Sequence, residues 1–263
     1  MPSLRNEELN QKQLILKRNS IGSGDEAFPR RAFTAIASRL REYRGLRKQL
    51  NSLMHATANY ENLGDVFDEL RRFPNFRSDQ RRAEILPLLE MIATEPPKFA
   101  CEIGTALGGT LFLLSKVCAS DATIITVDPG LSIVRRPLHK SMAVDQQRII
   151  CVRGDSHAPE SLQRVMTKLQ GSLLDCLFID GDHSLRGVMA DFANFSPLVR
   201  PGGIIVFHDV VPDHKARFGT DTGSWSGGVP AFWKLLASQY SSEEIIEDAG
   251  QDGYGLGVIH WEG

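Results

Sequence analysis

The sequence predicts an α/β fold: a doubly wound, Rossmann-like, mainly parallel sheet with an N-terminal helical extension. Three observations carry it. Short, continuous apolar runs recur from Phe99 to Phe207, amphipathic helical patterns separate them, and glycine-rich or polar turns follow the runs. Strands apolar throughout, alternating with helices, indicate a parallel sheet covered on both faces.

The elements follow in order. Residues 1–30, ending in the Gly22-Ser23-Gly24-Asp25 cluster, predict a flexible N-terminal arm. From Arg31 to about Ala58, Phe33, Ile36, Leu40, Tyr43, Leu46, Leu50 and Leu53 recur every three or four residues, one face of a long helix. Its opposite face carries Arg39, Arg41, Arg44 and Arg47. The apolar stripe must pack on the main domain or on a second subunit, so a homodimer through this helix is one of two expectations. A further helix, Asp79 to Thr94, stops before Pro96-Pro97, because proline cannot continue it. The helical extension is therefore 31–95 and the main domain 96–263.

Within the main domain, strands are predicted at Phe99–Ile103, Thr123–Val127, Arg148–Val152, Cys176–Ile179 and Ile204–Phe207. Helices are predicted at Gly109–Ala119, Glu160–Leu169 and Ser184–Val199. Ile245-Ile246 and Gly257–Trp261 read as late strands. The stretch 213–229, rich in glycine, serine, threonine and charge and carrying Trp225, reads as a lid loop, since long loops in compact domains are usually functional.

Composition excludes several classes. At 263 residues, 42% hydrophobic, 24% charged and net charge −2, the chain is an ordinary globular protein with no field to steer a polyanion. Nucleic acid is not an expected partner. No apolar run reaches the length of a membrane span, and the polar start, Met1 to Lys17, is no signal peptide. Cys101, Cys118, Cys151 and Cys176 form no CxxC pair and read as buried thiols of a reducing compartment. The expectation is a cytoplasmic protein without membrane partners.

The segment Glu102-Ile103-Gly104-Thr105-Ala106-Leu107-Gly108-Gly109-Thr110 follows the first strand and opens a helix. Glycines there let backbone approach a ligand, with helix N-terminal amides aimed at it. A dinucleotide fingerprint needs G-x-G-x-x-G, but position 106 is alanine, which argues against a pyrophosphate on this loop. Asp128 ends the next strand, where a carboxylate can accept from both hydroxyls of a ribose.

The chain here resembles the class I S-adenosylmethionine-dependent methyltransferases, from about Phe99 to Asp209. Their acid two residues before a glycine-rich turn is matched by Glu102, with Gly104 and Gly108 in the turn, and their ribose-binding acid by Asp128. Their adenine contacts fall at Gly154-Asp155-Ser156-His157. The resemblance implies S-adenosylmethionine held by Glu102, Gly104, Thr105, Gly108, Thr110, Asp128, Asp155, Ser156, His157 and Asp180.

Asp180-Gly181-Asp182-His183 closes the fourth strand and His208-Asp209 the fifth. Adjacent strand ends lie about 5 Å apart, so these groups converge on one rim. Such a cluster costs stability unless it binds something. Helix capping by Asp182 or Ser184 explains only one or two of its members. A hydroxyl is a poor methyl acceptor until a base or Lewis acid lowers the cost of its proton, which carboxylates with a cation, or a neutral imidazole, can do.

This region is similar to the metal-assisted sugar and catechol O-methyltransferases and to the cephalosporin hydroxylase/rhamnosyl O-methyltransferase group. The resemblance implies Asp180, His208 and Asp209 as metal ligands and His183 as the base, with Asp180 and His208 also catalytic. It departs at His208, where the family places an acid. Histidine is a poor ligand for Mg²⁺ but acceptable for Mn²⁺, Fe²⁺ or Zn²⁺. A divalent ion, Mg²⁺ or Mn²⁺, and no metal at all both stay open, with His208 then a second acid/base group. The expected activity is O-methylation of a small hydroxylated acceptor of sugar or natural-product type. A NAD-dependent oxidoreductase and a non-catalytic S-adenosylmethionine-binding module are the alternatives. Amide-nitrogen methylation is disfavoured because Asp180-Gly181-Asp182-His183 stands where those enzymes carry an Asn/Asp-Pro-Pro-aromatic loop.

Overall fold

The computed structural model describes residues 30–263; the predicted arm, 1–30, lies outside the described residues save for its last one. By its internal contacts the chain divides into units 1–41 and 42–263. Helix α1 (Arg30–Ala56) begins in the first and ends in the second. Its apolar stripe is used unevenly. Leu46, Leu50 and Leu53 are buried with Val66, Phe67, Leu88 and Leu89, whereas Ile36 and Leu40 stay half exposed.

The second unit continues with α2 (Leu63–Leu70), a 3₁₀ turn at Pro74–Phe76, and α3 (Arg82–Thr94). Asn62 caps α2, its side-chain oxygen accepting from the Gly64 N–H. The alternating domain then runs β1 (Phe99–Ile103), α4 (Gly109–Val117), β2 (Thr123–Asp128), α5 (Arg135–Lys140), β3 (Arg148–Arg153), α6 (Pro159–Leu169), β4 (Leu174–Ile179), α7 (Leu185–Phe195) and β5 (Val199–His208). After β5 come α8 (His214–Phe218), α9 (Val229–Ala237), β6 (Ser242–Ile245) and β7 (Leu256–His260).

Seven strands form one sheet in the order β3-β2-β1-β4-β5-β7-β6. The first five are parallel; β7 is antiparallel to β5 and to β6. The order reverses between β1 and β4, so their carboxyl ends flank a crevice, the usual ligand site of such sheets. One core face holds Phe112, Leu113, Ile124, Phe178 and Val206 with the extension helices; the other holds Ile125, Leu177, Phe195, Phe207 and Trp233. Burial on both faces is why the strands read as continuous apolar runs.

The predicted doubly wound sheet with its helical extension is the observed fold. The differences are local. Helix α3 starts at Arg82 rather than Asp79, and the helix predicted to reach Val199 ends at Phe195 in a 3₁₀ turn, Ser196–Leu198. The predicted lid, 213–229, contains α8, capped by Asp213, whose carboxylate accepts from the Ala216 N–H. Helices α2, α5 and α9 were not predicted.

Candidate active site

A cleft of about 680 Å³ opens at the carboxyl ends of β1, β2, β4 and β5, within the ~300–1,000 Å³ range of small-molecule sites. Its floor is the turn after β1. Gly104 has φ +89°, and a Cβ there would run into the Asp180 carbonyl oxygen, so only glycine lets β1 and β4 approach at the crevice. Ala106 is left-handed at φ +44°. Asp209 (φ +63°) and Tyr254 (φ +60°) share that region, and all three line the cleft. Left-handed non-glycine residues cost about 1–3 kcal/mol each and cluster at functional sites.

Asp128 stabilises the turn. Its Oδ2 accepts from the N–H groups of Thr105 and Ala106, each at 2.9 Å, and its Oδ1 from Gly130 at 2.5 Å. An ionised carboxylate offers about four acceptor sites, so capacity remains for a ribose hydroxyl at the cleft surface.

The sequence-predicted cofactor residues divide. Gly104, Asp128, Asp155, Ser156, His157 and Asp180 line the cleft. Glu102, Thr105, Gly108 and Thr110 do not, and the structure gives each another task. Glu102 is fully buried beneath the turn; its Oε2 accepts from Thr126 Oγ1 at 3.0 Å, and Oε1 has no hydrogen-bond partner. Burial pushes its carboxyl up to about 8, against the lowering effect of Thr126. Thr105 Oγ1 bonds Thr126 Oγ1, and Thr110 Oγ1 bonds Ser78 Oγ at 2.9 Å. Gly108, left-handed, lies against the buried His139 imidazole. Alternation along β1 points Glu102 at a sheet face rather than at the strand end, so proximity in sequence to the glycines does not deliver it to the ligand.

Across the crevice the polar groups face one another. Asp180 Oδ1 lies 3.3 Å from His183 Nε2 and 3.1 Å from His208 Nδ1, while Oδ2 accepts from Gln80 Nε2 at 3.1 Å. Asp209 Oδ2 is 3.2 Å from His183 Nδ1 and 3.3 Å from His208 Nδ1. Burial raises the Asp180 carboxyl, but the His208 charge and the hydrogen bonds from both histidines outweigh it, leaving about 2. Burial pulls His183 down, but Asp180, the Trp225 carbonyl and Asp209 lift it to about 9. The same contest leaves His208 well above its ordinary value, with Asp180 and Asp209 dominating.

His183 Nδ1 also lies 3.0 Å from the Trp225 carbonyl oxygen. A carbonyl can only accept, so Nδ1 carries a proton in either charge state and Nε2 is the exchangeable position. Trp225, 60% exposed, stacks on this imidazole at 5.5 Å, which brings the predicted lid residue onto the predicted base.

Among the described residues, Asp180, His183 and Asp209 have donor atoms all within 4.8 Å of one another. The ligand set implied by the resemblance was Asp180, His208 and Asp209. His208 lines the cleft as well; though only 5% exposed, with its ring against Tyr254, its Nδ1 lies within 3.3 Å of both carboxylates. His183 stands against the same pair.

Three cleft residues carried no sequence signal of their own: Asp79, Gln80 (through Asp180) and Tyr254. The Tyr254 segment is anchored by the buried Glu84 of α3, which accepts from Gln251 Nε2 at 2.7 Å and from the Gly255 N–H at 3.0 Å. The Tyr254 N–H donates to Asp209 Oδ1 at 2.8 Å. These bonds span some 45 to 171 residues of chain, and no local motif announces them.

Comparison with known proteins agrees with this geometry. Residues 101–210 match the family model described as a methyltransferase domain. Demethylmacrocin O-methyltransferase of Streptomyces fradiae is 30% identical over 125 residues, covering 44% of this chain and 31% of that protein. The chain spans under a third of the length of the curated relatives it matches. Among solved structures, an O-methyltransferase from Bacillus cereus in complex with S-adenosylhomocysteine superposes with a TM-score of 0.55 at 18% identity, over 81% of this chain and 91% of that one. The MycE methyltransferase of mycinamycin biosynthesis, in complex with Mg and S-adenosylhomocysteine, gives 0.52 at 18% identity, over 77% and 55%. The fold is therefore the class I methyltransferase fold, and no comparison supports a nicotinamide-dependent oxidoreductase.

Proposed function

We propose that this chain transfers a methyl group from S-adenosylmethionine to a hydroxyl of a small sugar or natural-product acceptor. The observation that carries it is one cleft with two unlike walls: a glycine turn tied to Asp128, and facing it the Asp180, His183, His208 and Asp209 cluster. Asp128 would hold the ribose, and Asp155, Ser156 and His157 the adenine. S-adenosylmethionine supplies the methyl group in an in-line displacement that forms the O–C bond as the S–C bond breaks.

The acceptor is oriented by the Asp180 and Asp209 carboxylates. His183 Nε2, at the rim, takes the hydroxyl proton, a role that removal typically charges at about 10²–10⁴-fold in rate. Between two charged acids the imidazole stays protonated below about 9, so it accepts a proton at neutral pH once one of those charges is offset. A divalent ion does that. The Asp180 and Asp209 carboxylates would hold it, since carboxylates suit Mg²⁺ and Mn²⁺, leaving His183 Nε2 for the proton. Such an ion would also supply Lewis acidity to the hydroxyl. His208, buried and protonated between Asp180 and Asp209, fixes which oxygens face the cleft. The lid closes over the acceptor through Trp225; the Gly228 N–H donates to the His183 carbonyl at 2.7 Å, coupling lid and base.

Buried free thiols at Cys101, Cys118 and Cys176 fit the reducing cytoplasm. The half-exposed Ile36 and Leu40 are compatible with a homodimer through α1, checked by mass in solution.

The test is incubation with S-adenosylmethionine labelled in its methyl group and a panel of hydroxylated sugars, glycosides and phenols. Label on an acceptor oxygen is expected. Tight S-adenosylhomocysteine binding with no transfer to any acceptor would instead favour the non-catalytic binding module.

A further inference from the structure

Asp191 is the sharpest unexplained group in the molecule. It sits on α7, fully buried, and neither carboxylate oxygen has a well-aligned hydrogen-bond partner, with the Ser156 hydroxyl and the His157 imidazole as polar neighbours. Burying a carboxylate without partners costs several kcal/mol, and an ordinary helix position facing the sheet would carry an apolar residue instead. Its neighbours are not apolar wall. His157 Nε2 lies 3.2 Å from Oδ1, close enough for an ion pair though out of line for a hydrogen bond. A Cβ on Gly181 would come within 3.0 Å of Oδ2, so the carboxylate is seated directly behind the end of β4.

Burial pushes the Asp191 carboxyl up, and Ser156 and His157 pull it back; both line the cleft after β3, beside Asp155. The charges form a line out of the core. Asp191 is 0% exposed, His157 29% and Asp155 63%, with His157 Nδ1 3.6 Å from Asp155 Oδ1 and the His157 N–H donating to the same oxygen at 2.9 Å. Asp155, His157 and Gly181 all line the cleft.

We propose that Asp191 is a positioning residue that, through His157, aims the Asp155 carboxylate at the exocyclic amine of the adenine and so sets the preference for an amino-purine cofactor. This rests on the S-adenosylmethionine reading above. The chemistry is specific: a carboxylate accepts from an N6 amine but repels the carbonyl oxygen that replaces it in hypoxanthine. Asp155 is exposed and held by a two-residue turn, so by itself it would swing freely. The imidazole between it and Asp191 removes that freedom.

The experiment compares binding of S-adenosylhomocysteine and S-inosylhomocysteine by calorimetry in the wild type, Asp191→Asn and His157→Gln. The wild type should prefer the adenine form, and the ratio of the two affinities should shrink about tenfold in each variant, the scale of one misplaced charge-assisted hydrogen bond. A merely structural role for Asp191 would lower both affinities together and leave the ratio intact, which would overturn the proposal. Should Asp191→Asn fail to fold, Asp191→Glu, which keeps the charge but displaces it from His157, takes its place, and an unchanged ratio there overturns the proposal equally. Failure of the cofactor reading looks different: the wild type would then bind neither ligand.

Discussion

The two walls of the cleft spend their polar side chains in opposite ways. On the glycine-turn side, Asp128 is bound to backbone N–H groups, Glu102 to Thr126 beneath the floor, and Thr105 and Thr110 to other hydroxyls. Each stabilises the shape of the turn. Across the crevice, Asp180, His183, His208 and Asp209 are bound chiefly to one another, and the titrations of Asp180, His183 and His208 are displaced far from ordinary values. On the proposed reading, one wall holds a ligand still and the other moves a proton. Displaced titrations mark the second kind of site.

The contrast predicts separable damage. His183→Ala, on the reacting wall, should lower the methyl-transfer rate about 10²–10⁴-fold with any accepted acceptor, leaving S-adenosylhomocysteine affinity within a few-fold. In the wild type without added divalent ion, the rate should rise with pH toward about 9, because His183 must lose its proton to act. Added Mn²⁺ should shift that rise to lower pH. A rate that falls across this range would remove His183 as the base.

On the binding wall the largest effect is on stability. Glu102 has a folded pKa of about 8 against an ordinary 4.5. An acid raised on folding favours the folded state fully below the lower value and loses that advantage as pH climbs to the upper one. Glu102→Gln, which cannot ionise, should therefore gain on the wild type between pH 5 and 8, on the order of a few kcal/mol, read by denaturant unfolding at several pH values. A constant difference across the window would place a partner on Glu102 that the structure lacks.

Smaller effects follow. Asp128→Ala should weaken S-adenosylhomocysteine about 10–100-fold, through the turn it holds and the ribose contacts it offers. Trp225→Ala should raise the acceptor KM several-fold by uncovering His183, without changing cofactor affinity. If the cofactor affinity fell instead, the lid would belong to the other wall.

Much of the first wall was legible in sequence because strand–turn–helix geometry is local. The apolar runs placed β1 to β5, and Gly104 and Asp128 fell at their ends. Glu102 was assigned to the cofactor by its match to the family's motif acid; side-chain alternation on a doubly covered strand turns it into the core, and a continuous apolar run does not reveal which face a residue takes. On the second wall Asp180, His183 and Asp209 were visible as strand-end clusters. Asp209 carries a left-handed backbone, which sequence does not announce. Gln80 and Tyr254 reach the site through contacts across the length of the chain. Helix α5, six residues with a proline and only Leu138 and His139 buried, has no period to detect.

The most direct test titrates the wild type, Asp128→Ala and Asp180→Asn with S-adenosylhomocysteine and, separately, with Mn²⁺. The two-wall account predicts micromolar S-adenosylhomocysteine binding (about −8 kcal/mol) that is weakened in Asp128→Ala alone, and Mn²⁺ binding weakened in Asp180→Asn alone. No S-adenosylhomocysteine binding to the wild type, or both ligands lost together in either folded variant, would contradict it.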